Sequence, residues 1–245
     1  MPLGGLPPGQ ALRLKIRLAE PGLDAVSREL WEHPAVGAAL PEYLFSLWSS
    51  MRATLPLLEA AARRAGELAP ADPLGAGLVP YLLKHAEEER GHDDWLLEDM
   101  EGLGIPRSQV LARLPPPDVA ALVGAQYYFI AHAHPVALLG CFAVLEGSPL
   151  TEPDLAGLAE RAGVPRPLLR TLDKHALLDP HHRDDLDALL DGLPLGPDHE
   201  ALLGLSALTT VEQLGGIVER LLEVARNGPG DRHSDRVEAA EPAGG

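Results

Sequence analysis

At 245 residues the chain is long enough to bury a substantial core. Its net charge of -16 and pI near 4.9 exclude a phosphate-binding surface as its main business, so no nucleic-acid partner is expected. One cysteine, Cys141, excludes an internal disulfide and a cysteine-based zinc site. Apolar residues make up 46% of the chain and aromatics 4%, so the core must be built from Leu, Ala and Val. Leu and Ala are strong helix formers.

Residues 1–20 are rich in Pro and Gly and then basic, which predicts an arm lying over the surface. Asp24 to Glu32 has amphipathic spacing and stops before His33-Pro34. Leu40 to Leu68 repeats apolar residues at helical spacing (Leu44, Leu47, Met51, Leu55, Leu58), with Pro41 in its first turn and Pro56 as a candidate kink. A loop from Pro70 to Gly77 leads into a helix from Leu78 to Leu103, closed by Gly104 and Pro106. Pro115-Pro116-Pro117 breaks the chain before a buried helix over residues 118–146, bent at Pro135. Thr151 caps a helix to Ala162, Pro165 opens another, and Gly196-Pro197 precedes a last helix from Glu200 to Arg226. The tail from Asn227 to Gly245 has almost no apolar content and is expected to be disordered. No strand-like alternation and no repeat is visible, so the fold class is all-α, with a helical domain over residues 21–226.

Val119 to Leu145 contains no Asp, Glu, Lys or Arg, yet Gly124, Gln126, His132, His134 and Pro135 interrupt it, which fits a core helix better than a membrane span. No apolar leader follows the N-terminal charges, so a soluble, cytoplasmic chain without a membrane partner is expected.

Three segments carry metal-type ligands. His85, Glu89 and His92 are spaced by four and seven residues, which puts them on one helix face, and Glu89-x-x-His92 is a spacing used by carboxylate-bridged di-iron helices. The competing reading is a solvated charged face, since Glu87, Glu88, Arg90, Asp93 and Asp94 surround them. Glu146 closes the apolar run Val136–Leu145, where a buried carboxylate needs a cation or a metal; a helix end open to water is the alternative. His175, Asp179 and His182 repeat the four-and-seven spacing, although Asp179-Pro180 could equally start a new helix. Weaker candidates are Tyr127, Tyr128 and His132 as substrate contacts. Asp99 could extend the ligand face but is expected to be solvated near a helix end, and Trp31, Trp48 and Trp95 read as packing residues.

In order and spacing, His92, Glu146 and His175-x-x-x-Asp179-x-x-His182 resemble the haem-oxygenase-like di-iron oxidases and oxygenases, over roughly residues 24–225. This family is related to the thiaminase-II-like proteins and to pyrroloquinoline quinone synthase. The resemblance implies a haem-oxygenase-like bundle of about seven or more helices holding two Fe(II) ions, with O2 as co-substrate. It further implies oxidation of a small organic substrate (amine, amino-acid-like or fatty), in natural-product biosynthesis, with an external electron donor and a homodimer as accompanying expectations. The chain departs from the pattern at His85, where some members carry the first glutamate. Glu89 is then the substitute ligand, with His85 as a supplementary ligand or an outer partner. A metal-free enzyme of the same fold, thiaminase-like or a cofactorless oxidase, and a non-catalytic helical partner protein are the alternatives. The thiaminase version needs an activated cysteine, and Cys141 lies in an apolar run without an adjacent base.

Overall fold

A computed structural model describes residues 5–147 and 150–228. Among these residues there are helices and turns and no strand. Eleven α-helices follow in order: α1 Pro8–Ala19, α2 Pro21–Glu32, α3 Val36–Leu68, α4 Pro73–Glu88, α5 His92–Gly102, α6 Arg107–Ala112, α7 Pro117–His132, α8 Ala137–Leu145, α9 Glu152–Ala162, α10 Arg170–Gly192 and α11 Pro197–Asn227. A short 3-10 turn, Arg166–Leu169, leads into α10.

Local chemistry accounts for several of these boundaries. Asp72 caps α4 by accepting from Leu74 N and Gly75 N, each at 3.0 Å, with Pro73 in the first position. Thr151 and Asp154 form a capping box at the start of α9. The two long helices, α3 and α11, form the frame. α3 packs against α4, α5, α7 and α9, and α11 against α1, α2, α7 and α8, while α3 and α11 also touch each other. α11 is long and apolar enough to cross a membrane by length and composition, but here it packs among these five helices. Two apolar clusters fill the interior, one around Leu58, Leu82 and Leu139, the other around Phe45, Leu96 and Leu221.

Three expectations need correction. Residues 8–19 are not an arm: α1 buries Ala11, Leu12 and Ile16, and Gly9 N donates to Asp191 Oδ1 at 2.9 Å. The helix expected from Leu78 to Leu103 is two helices, because Gly91 takes φ +84°, a left-handed conformation that glycine adopts at no steric cost. The helix expected over residues 118–146 also divides rather than bends, at residues 133–136 around Pro135. The segment around Pro180, by contrast, is a single helix from Arg170 to Gly192, so Asp179-Pro180 starts nothing. The expected disordered tail lies, after Gly228, outside the described residues.

Candidate metal centre

The break between α4 and α5 builds one side of the site. Glu89 is the residue at which α4 ends and His92 the first residue of α5, and the left-handed turn at Gly91 folds them together, with Glu89 Oε2 and His92 Nδ1 3.2 Å apart. His85 lies one turn back on α4. Glu146 ends α8 and, although at a helix end, is buried, with its Oε1 3.2 Å from His85 Nε2. α10 supplies the opposite side, with Asp179 and His182 buried and His175 half-buried.

The ligand atoms fall into two trios. His85, Glu146 and His182 form one, and Glu89, His92 and His175 the other; within each, the ligand atoms lie within 4.8 Å of one another. Each trio holds two imidazoles and one carboxylate, a donor set suited to non-haem Fe(II) with coordination positions left open. Glu89 spans both. Its Oε2 faces His92, while its Oε1 lies 3.9 Å from His85 Nε2 and 3.9 Å from His182 Nδ1. His85 and Glu89 are thus both drawn into the cluster.

The orientation of the rings favours coordination. His175 Nδ1 lies 2.9 Å from the Thr171 carbonyl, which can only accept, so the proton sits on Nδ1 and Nε2 keeps its lone pair. Burial holds this imidazole below its ordinary range, more than offsetting the pull of the carbonyl and of Glu89, and so keeps it neutral. His85 is fixed on two sides, by Tyr81, whose hydroxyl lies 3.2 Å from Nδ1, and by Phe142, stacked nearly parallel at 5.0 Å. His92 stacks on Trp95, and Lys174 Nζ lies 3.5 Å above the outer ring.

Three ligand atoms test whether a metal fits. His85 Nε2, His92 Nδ1 and Glu146 Oε2 are buried without a hydrogen-bond partner among the described residues, although His85 Nε2 and His92 Nδ1 each lie 3.2 Å from a carboxylate oxygen. An orphaned buried polar atom costs on the order of 1–3 kcal/mol. Three such atoms converging on carboxylates and imidazoles fit a cation between them.

Charge reinforces that fit. Burial raises the Asp179 carboxyl, the nearby Glu146 and Glu89 raise it further, and it is pushed up to about 8. Burial also raises Glu89, but His92, His85 and His175 outweigh it and leave Glu89 below the usual carboxylate range. For His85 the balance runs the other way, with burial lowering it and Glu146 more than compensating. Without a metal, then, burial and its carboxylate neighbours favour the protonated form of Asp179.

A cavity of about 260 Å³ opens beside the trios. Tyr43, Leu47, Ser50, Met51 and Thr54, a stripe along one face of α3, form one wall, and Phe142, Leu172 and Ala176 stand opposite. Glu89, Glu146, His175 and Asp179 reach the cavity from the metal side. Burial, together with Asp179, pushes the Tyr43 hydroxyl up to about 12, so it stays neutral.

The three expected substrate contacts lie elsewhere, and Asp99 departs from its expected setting. Tyr127, Tyr128 and His132 are exposed on α7 and do not line the cavity; the rings of Tyr128 and His132 meet at a tilt, with centroids 4.9 Å apart. Asp99 is buried rather than solvated. Its Oδ2 accepts from Thr171 N at 2.8 Å, fixing the first turn of α10 and, through Thr171, the ring of His175. Sequence reasoning missed Tyr81, Thr171 and the α3 stripe. Tyr81 and Thr171 each precede a ligand histidine by four residues, a spacing that was available as a signal.

The comparisons with known proteins bear on this geometry. A search of the curated proteins finds none that matches. Among solved structures, a domain of unknown function with a haem-oxygenase-like fold from Shewanella denitrificans OS217 superposes with a TM-score of 0.70 at 18% identity, covering 92% of this chain and 95% of that one. A TenA homolog from Pseudomonas syringae pv. tomato DC3000 gives 0.64 at 11% identity, over 87% of this chain and 92% of that one. A TenA homologue from P. horikoshii OT3 gives 0.53 at 16%, over 85% and 98%. At these identities the structures establish the haem-oxygenase-like fold and nothing finer. The family model described as "Iron-containing redox enzyme" matches residues 77–210, from within α4 through every candidate ligand residue into α11, and on that match the chain belongs to the iron-containing redox enzyme family.

Proposed function

We propose that this protein is a non-haem di-iron enzyme that uses O2 to oxidise a small, largely apolar organic substrate held in the cavity beside the two trios. The observation that carries the reading is the pairing of two trios, each of two histidines and one carboxylate, around Glu89 and against an apolar cavity. Iron bound by the trios would supply the activation of O2 and the oxidising power.

The rest is the work of the chain. Thr171 and Tyr81 hold two imidazoles in their ligating orientations. Phe142, Leu172, Ala176 and the α3 stripe exclude water and receive the substrate's apolar body, and the neutral hydroxyls of Tyr43, Ser50 and Thr54 can orient a polar group on it. Electrons beyond those drawn from the substrate would come from an external donor.

The metal-free alternative of thiaminase type is disfavoured by its own required residue. Cys141 is buried, and burial pushes its thiol up to about 12, so it supplies no thiolate near neutral pH. The test is O2 uptake after anaerobic loading with Fe(II), in the presence of amines, amino-acid-like compounds and fatty acids. Loaded wild-type protein should consume O2 faster than the same Fe(II) in buffer, and at least one substrate class should accelerate it. Glu146→Gln should lower the protein-dependent rate by roughly 100-fold or more, as loss of an activating group does. Uptake equal to that of free Fe(II), with every substrate class, would contradict the reading.

A further inference from the structure

Arg13 lies on α1, outside residues 77–210 matched by the family model and in the segment expected from sequence to be a surface arm. Its guanidinium reaches behind the metal centre. Nη1 donates to the Ala143 carbonyl at 2.5 Å, Nε donates to Asp187 Oδ1 at 3.0 Å, and Nη2 lies 2.9 Å from the same oxygen. Ala143 stands three residues before Glu146 in the last turn of α8, and Asp187 five residues after His182 on α10. One side chain therefore ties together the two helices that carry Glu146 and His182.

The end of α8 is shaped to receive this contact. The final turn tightens, so that Gly147 N donates to Val144 O at 3.3 Å and the Ala143 carbonyl is left for Arg13. Residue 147 must also be small. A Cβ there would lie 2.4 Å from Ala143 O and 3.0 Å from Arg13 Nη1. The second trio has a different brace, the bond from Thr171 N to Asp99 at the start of α10.

The geometry points to Arg13 as the positioning residue of the His85–Glu146–His182 trio: it fixes the end of α8 so that Glu146 faces His85, and holds α10 so that His182 completes the set. This rests on the two-metal reading given above. A planar guanidinium serves two acceptors on two helices at once, which a lysine ammonium does less well.

The test is an anaerobic Fe(II) titration of the full-length protein, reading the affinity of each equivalent separately, with the thermal midpoint recorded alongside. Wild type should take two equivalents. Arg13→Met should keep one at wild-type affinity and weaken the other roughly 10–100-fold, the effect usual for an outer partner of a metal ligand. Arg13→Lys should fall between them, and Gly147→Ala should reproduce the selective loss with the guanidinium intact. If Arg13→Met does not fold, the latter two variants carry the test. Equal weakening of both equivalents, or lowered thermal stability with both affinities unchanged, would overturn the assignment and leave Arg13 a general structural tie. Wild-type protein that binds no iron would instead refute the reading of the centre itself, a result distinct from variants that match a two-iron wild type.

Discussion

Asp179→Asn should raise the stability of the metal-free protein at pH 7.5 while it damages metal binding. The Asp179 carboxyl is buried, lies close to Glu146 and Glu89, and is pushed from its ordinary 3.8 up to about 8. A carboxyl raised in the fold favours the fold only while protonated. Its contribution is full below about pH 4 and is lost as pH rises toward 8, because the unfolded chain ionises it freely over that range. At neutral pH the penalty is on the order of 2–4 kcal/mol, and asparagine, neutral at every pH, removes it. For a chain of this size that corresponds to a midpoint higher by roughly 5–10 °C. Below pH 4 wild type and variant should unfold together. With Fe(II) present the order should reverse, because the variant has lost a negative charge beside Glu146 and Glu89, the carboxylates of the two trios. Thermal unfolding at pH 3.5 and 7.5, with and without Fe(II), checks all of this; a less stable metal-free variant at pH 7.5 would show that Asp179 is held as a favourable anion.

Gly140→Ala should be the most damaging of the conservative substitutions. α8 crosses α11 at Gly140 so closely that a Cβ there would lie 2.3 Å from the Leu203 carbonyl and 3.2 Å from Ala207 N. These are backbone atoms of a packed helix and cannot swing aside, so the two helices must separate. The cost is about 3 kcal/mol, the upper end for overpacking, or roughly 10 °C in the midpoint. Gly124→Ala in α7 is the control. Nothing lies within 4 Å of the place a methyl group would take there, and alanine in a helix interior should gain about 0.5–1 kcal/mol. Urea unfolding of the two variants should therefore move in opposite directions. A Gly140→Ala midpoint equal to that of wild type would mean that α8 is not held tightly against α11. Because α8 carries Phe142 and Glu146, the same separation should also weaken iron binding.

These contacts mark where the sequence could be read and where it could not. Apolar spacing, prolines and caps located most helices, because such signals act within a turn or two. The candidate ligand segments were legible for the same reason: four-and-seven spacing is local, and His85, Glu89, His92, Glu146, His175 and His182 fall into the two trios, while Asp179 joins neither and lies in electrostatic reach of Glu146 and Glu89. The sequence left open whether His85 or Glu89 joins the cluster; both lie in it, although the break at Gly91 divides the helix expected to carry them together with His92. α1 was misread because its basic residues suggest solvent, whereas Arg13 is partnered by an Asp187 that lies 174 residues away. Asp99 was misread in the same way, since its partner, Thr171 N, is 72 residues distant. Tyr127 and Tyr128 were plausible only through their nearness in sequence to Glu146, and the break at residues 133–136 turns α7 away from the cavity.

The most direct test of the two-trio centre is an anomalous-scattering crystal structure of protein loaded anaerobically with Fe(II). Two iron peaks are expected in each chain, one bounded by His85, Glu146 and His182, the other by Glu89, His92 and His175. No peak within either trio under saturating Fe(II), or a single iron bound away from both, would contradict the two-trio centre.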